Sequence, residues 1–147
     1  MFLRLEDTYN ATRSLFRAGD FEAFTNSVTK LVSAEDRRAG QFLTAYASRK
    51  RRDGSIEEAL RIFSDVRSRY PSDAEDALWG IAWVYYRTGE YRKAADVLTE
   101  LYDKYHNSKY LYWKAVSLNT AYEGETNPDR ESVSKTILKA IKSNDRD

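Results

Sequence analysis

Side chains able to do covalent or metal chemistry are scarce in this chain. His106 is the only histidine, and there is no cysteine. A serine relay needs a histidine as its base, and thiolate ligation, disulfide bonding and a cysteine nucleophile all need cysteine. His106 falls at the predicted end of a helix, where a partial positive charge suits the macrodipole, so it reads as structural. Carboxylates are plentiful but lie on polar faces at ordinary helical spacings. The punctuating glycines stand 35 residues apart and cannot form a phosphate-cradling loop. The sequence therefore predicts no catalytic residue, no metal ligand set and no cofactor, and the chain reads as a non-enzyme.

What remains is equipment for recognition. The chain has three Trp, eleven Tyr and six Phe, a marked excess of rings, and a basic run at Arg49-Lys50-Arg51-Arg52. That run could bind an acidic peptide or a phosphate, or serve as a nuclear address. The favoured reading is a solvated helix end, with the dipole attracting the cations and Asp53, Glu57 and Glu58 as counter-charges. Trp79, Trp83, Tyr86 and Tyr112 either anchor a partner's side chain or pack on neighbouring helices, and the sequence leaves both open.

The elements that must position these residues come from a repeat. Gly19, Gly54, Gly89 and Gly124 are each 35 residues apart, and a helical apolar pattern breaks and restarts at every one. Seven residues before each glycine stands a small side chain: Thr12, Ala47, Ala82 and Ser117. A small residue there lets a partner helix approach closely. Leu43 and Tyr46, Leu78 and Ile81, and Trp113 and Val116 hold the corresponding buried offsets on the first helices. Ala59, Phe63 and Val66, then Ala94, Leu98 and Leu101, form the stripes of the second helices.

Read in order, the pattern predicts eight helices: about 3–18, 21–33, 34–52, 55–70, 73–87, 91–105, 108–122 and one opening near Asn127-Pro128. The last carries the stripe Val133, Ile137, Leu138 and Ile141, which is expected to cover the end of the stack. Only two Pro and six Gly interrupt 147 residues, which favours long helices joined by short turns. The units run about 3–36, 37–71, 72–106 and 107–143, within one domain spanning 1–147.

In the third unit, Leu78, Ile81, Ala82, Tyr85, Gly89, Tyr91, Ala94, Leu98 and Leu101 stand at spacings that resemble the tetratricopeptide repeat family. The second follows with Leu43, Tyr46, Ala47, Gly54, Ile56, Ala59, Phe63, Val66 and Pro71. The outer units depart more, with Phe24 and Asp129 where a small residue is usual, and Lys50 replaces an aromatic in the second. The resemblance implies an all-α fold of antiparallel helix pairs winding into a right-handed superhelix, its concave face lined by first helices. On this basis the partner-binding residues are expected to be Tyr9, Arg13 and Arg17; Ser48 and Arg51, flanked by Gln41 and Thr44; Trp79, Trp83, Tyr86 and Arg87; and Lys114 and Tyr122, with Leu118. Some relatives grip a terminal carboxylate with Lys, Asn and Arg on three first helices. The matching places here hold Tyr9 and Arg13, then Ala45, then Asp76 and Gly80, so that ligand is not carried over.

A narrower stretch, Ala77 to Trp83 with Tyr110 to Ala115, resembles the superhelical region of soluble lytic murein transglycosylases and periplasmic cell-envelope repeat proteins. Glu131-Ser132 matches their catalytic pair, but the motif that should follow is missing, which implies a non-catalytic arm.

Net charge is +1 overall, so no global field draws the chain to nucleic acid or membrane. By segment the charge is 0 for 1–34, +3 for 35–69, −3 for 70–105 and +1 for 106–147. The expected partner is a protein or peptide, extended and acidic or aromatic-containing. The function read from the sequence is a non-catalytic protein–protein interaction scaffold. The alternatives are a superhelical arm of a cell-wall lyase or envelope-assembly protein, and an array that self-associates through its terminal units. No window is long and apolar enough to span a membrane, and the N-terminus meets Glu6 and Asp7 before any leader-like run. The chain as given reads as soluble and cytoplasmic, or periplasmic if a leader has been removed.

Overall fold

A computed structural model describes residues 2–123, and every described element is helical. The helices are α1 (Phe2–Ala18), α2 (Phe21–Ser33), α3 (Ala39–Arg52), α4 (Ile56–Arg69), α5 (Ala74–Arg87), α6 (Tyr91–Tyr105) and α7 (Ser108–Glu123), with a 3-10 turn at Pro71–Asp73 before α5. The expected eighth helix, with Gly124 and Glu131-Ser132, lies outside the described residues. The chain forms two compact units, one ending at Ala74 and one beginning at Glu75.

The glycine register produces the same helix stop three times. Gly19, Gly54 and Gly89 have φ of +76°, +89° and +82°. Each donates its N–H three residues back, to Phe16, Arg51 and Tyr86. The next residue donates five back: Asp20 to Leu15 O (3.1 Å), Ser55 to Lys50 O (2.9 Å) and Glu90 to Tyr85 O (2.8 Å). This pair of bonds closes the last helical turn around a left-handed residue, which a Cβ makes costly. A Cβ at any of the three would meet nothing within 4 Å, so glycine is needed for its backbone and not for space. Asp20 then caps α2 by accepting from the Ala23 N–H at 3.2 Å.

The α2–α3 connection corrects the expectation that a helix runs from Ala34. Glu35 takes the left-handed position (φ 57°), and Asp36 N–H donates to Leu31 O at 3.0 Å, the same stop without a glycine. Asp36 then accepts from the Arg38 N–H at 3.0 Å, and α3 begins at Ala39. Asp36 and Arg38 define this turn, and a search guided by glycine passes over it.

In the N-terminal unit, α1 packs on α2, α2 on α3 and α3 on α4. Phe24, Leu31, Ala47, Ala59, Phe63 and Val66 are fully buried. The α1–α2 contact closes on a buried hydroxyl pair, Thr12 Oγ1 to Ser27 Oγ, at 2.6 Å. Phe24, which replaces the usual small residue, meets the rings of Phe16, Phe21, Phe42 and Tyr46 at 5.2–6.3 Å. The turn after α4 presses on α3 at Gly40, where a Cβ would stand 2.5 Å from Asp73 Oδ2 and 2.7 Å from Tyr70 Cβ. In the C-terminal unit α6 packs on α7, and Leu78, Ala82, Ala94, Leu98 and Leu101 are buried. All four small positions (Thr12, Ala47, Ala82 and Ser117) are at most 3 % exposed, as close approach requires. Leu43, Trp113 and Val116, expected in the core, are only half-buried.

Candidate partner-binding surfaces

The C-terminal unit gathers its rings into one seam between α5 and α7. Spacings of three and four residues put Trp79, Ala82, Trp83 and Tyr86 on one face of α5. Trp83 meets Trp79 at 5.6 Å, Tyr86 at 5.6 Å and Trp113 at 4.9 Å. Tyr86 also meets Trp113 at 6.0 Å and Tyr91 at 5.3 Å, and Trp79 meets Tyr110 at 5.5 Å. The pairs are tilted or edge-on, the arrangements that ring quadrupoles favour. Trp79, Trp83, Tyr86 and Trp113 are all half-buried.

The space these rings enclose with Ala82, Leu98 and Ser117 is only about 10 Å³. That is at the lower limit for a single water. The seam therefore offers a ridged aromatic surface with no socket for a partner's ring. Two exposed cations sit above it: Lys109 Nζ is 5.1 Å from the Trp79 ring, and the Arg87 guanidinium is 5.9 Å from the Trp83 ring. Beneath Trp79, the buried Tyr110 hydroxyl donates to the Glu75 carboxylate. Burial first, and that bond second, push the phenol well above the ordinary tyrosine range.

Of the remaining α7 residues of the expected set, Tyr122 lies elsewhere. Tyr122 is nine residues from Trp113, about two and a half turns, and so stands on the opposite side of α7. Its ring lies under the Arg92 guanidinium at 4.7 Å, next to an open hollow of about 330 Å³ between Gly89–Lys93 and Ala121. Lys114 is half-buried.

In the N-terminal unit, Tyr9 is half-buried against Phe42 at 5.4 Å, with the Arg38 guanidinium over its ring at 4.4 Å. Arg38 in turn pairs with Glu6 (2.8 Å) and Asp36 (2.7 Å), joining α1 to the turn before α3. Its hydrogen bond holds the Asp36 carboxyl below the usual carboxylate range. Arg13 and Arg17 are exposed one turn apart on α1, and Arg13 reaches the edge of Tyr9 at 5.9 Å. On α3, Ser48 and Arg51 are half-buried. The basic run behaves as a helix end: Arg49 pairs with Asp53 at 3.4 Å and lies over Phe21, and Lys50 pairs with Glu58 at 3.5 Å and lies over Tyr46.

Sequence reasoning assigned Trp113 to the core, weighed Tyr112 with the other rings without placing it among the partner-binding residues, and passed over Lys109. Tyr112, 47 % exposed, stands edge-on to Trp113 at 5.3 Å. Trp113 could have been found from the three tryptophans lying within one repeat length.

Stacked helical hairpins with small residues at the crossings and rings on the first helices define a helical-repeat protein. Residues 76–108, which cover α5 and α6, match the family Tetratricopeptide repeat. That match supports the resemblance read from the 35-residue register, and repeats of this kind generally serve protein–protein interaction. No curated protein and no solved structure matches the chain. Among the described residues no helix is long and apolar enough to cross a membrane.

Proposed function

We propose that this chain is a non-catalytic interaction module that binds an extended segment of a protein partner on its first helices. The observation that carries the reading is the α5–α7 seam, where Trp79, Trp83, Tyr86 and Trp113 converge inside and next to the matched repeat yet stay half-exposed. Rigid amphipathic rings at a surface give a partner large contact area at small entropic cost. The narrow gap directs a ligand to lie across the rings.

The test is selection of peptides from a random library on the whole chain, followed by titration against Trp83→Ala. The reading expects selected peptides to lose at least tenfold in affinity to the variant while its far-UV circular dichroism is unchanged. Selection of no peptide, or equal binding to both proteins, contradicts it.

A further inference from the structure

The two units divide their charge differently. In the N-terminal unit, α3 carries Arg49, Lys50, Arg51 and Arg52 and no carboxylate along its whole length. From Thr8 to Ala18, α1 carries Arg13 and Arg17 and again no carboxylate. The unit's acidic residues are on α2 and α4 (Glu22, Glu57, Glu58, Asp65), in the connecting turns, and at the start of α1. There Glu6 is held by Arg38. The first helices, in contact through Tyr9 and Phe42, are thus cationic, whereas on α2 and α4 acidic and basic residues balance. In the C-terminal unit α5 instead opens on Glu75 and Asp76.

Resting on the reading of the chain as a peptide-binding module, we propose that the first helices of the N-terminal unit take an acidic extended segment, with Arg13 and Arg17 receiving its carboxylates. Neither guanidinium pairs with a carboxylate among the described residues, and both are exposed. Four residues of α-helix rise about 6 Å. Two residues of extended chain advance about 6.6 Å. Carboxylates at alternate positions of an extended segment therefore match the spacing of the two arginines. Each arginine can form the bidentate pair that planar guanidinium favours. A phosphodiester chain would also meet the cations, but with a net charge of +1 the protein lacks the broad basic field that nucleic-acid binding uses.

The test uses the whole chain and two labelled eight-residue peptides, one alternating Asp and Ser and the other alternating Asn and Ser, with an oligothymidylate as competitor. The Asp peptide should bind, weaken as salt is raised, and lose about fivefold or more when Arg13 and Arg17 are both changed to Ser. Arg61→Ser, which removes an exposed arginine of α4, should leave binding unchanged. Equal binding of the Asn peptide, an unchanged double variant with intact circular dichroism, or preferential capture of the oligothymidylate each overturns the proposal. If the acidic assignment alone is wrong, library-selected peptides still bind and still depend on Trp83. If the underlying reading is wrong, neither assay yields a ligand.

Discussion

Phe24 and Trp83 stand at the centres of two aromatic clusters whose outer rings are mostly half-buried, yet the first central ring is sealed and the second half-open. Phe24 lies between α1, α2 and α3 with Phe16, Phe21, Phe42 and Tyr46 around it, and it is fully buried. Trp83 has three ring neighbours at similar distances, and it and its partners Trp79, Tyr86 and Trp113 all keep part of their surface in water. For the two central rings the difference follows side-chain chemistry. Phe carries no polar atom and loses nothing in a dry core, whereas Trp and Tyr keep an N–H or O–H that must find a partner or water. The N-terminal unit spends its rings on cohesion and offers cations at its surface. The C-terminal unit offers the rings themselves.

Truncating the two central rings tests that contrast most strongly. Phe24→Ala should destabilise the N-terminal unit by about 3–5 kcal/mol, whereas Trp83→Ala should cost the C-terminal unit only about 1–2 kcal/mol because much of the indole is already hydrated. Urea unfolding followed by far-UV circular dichroism and by tryptophan emission separates the two. All three tryptophans lie in the C-terminal unit, so emission reports on that unit alone. A larger loss at Trp83 than at Phe24 would break the comparison. Leu101→Ala, which opens a cavity at a fully buried site of α6, should cost about 2–5 kcal/mol.

Overpacking comes next in size. Gly40→Ala forces a methyl onto Tyr70 and Asp73 and should cost about 1–3 kcal/mol in the N-terminal unit. Ala82→Leu, against a gap of about 10 Å³, should cost a similar amount in the other. Unchanged thermal stability in Ala82→Leu would mean that the small-residue position is misassigned.

The smallest effects are electrostatic, and they have opposite signs in pH. Asp36 titrates below its unfolded value, so its contribution is full above about pH 4 and is lost as pH falls through the lowered folded value. Tyr110 titrates above its unfolded value, so its contribution is full below about pH 10 and is lost as pH rises, because the unfolded phenol ionises first. Asp36→Asn should flatten the acid limb and Tyr110→Phe the alkaline limb, the latter costing about 0.5–1.5 kcal/mol at neutral pH. Melting curves across pH check both, and a limb that survives its own substitution would remove that group from the account.

Much of this fold was legible because a left-handed helix stop needs glycine, and a glycine every 35 residues can be counted. The bounds of α2 and α6 and the burial of Thr12, Ala47, Ala82 and Ser117 follow from that register. The start of α3 was not legible, since Glu35 reaches the left-handed region without glycine and Asp36 caps from a side chain that also reads as surface charge. In the candidate surfaces, helical spacing grouped Trp79, Trp83 and Tyr86 correctly on α5. It could not assign Trp113, whose place on the seam depends on how α7 is rotated against α5, and it set Tyr122 on a side of α7 that meets Arg92 instead.

Because Trp79, Trp83 and Trp113 are the only tryptophans and all lie on the seam, their indole N–H resonances report on it selectively. The most direct measurement is a two-dimensional NMR titration of the isotopically labelled chain with a library-selected peptide. All three indole signals should move together and saturate at the affinity found by calorimetry. A peptide that binds by calorimetry while the three signals stay fixed would place recognition elsewhere and contradict the account.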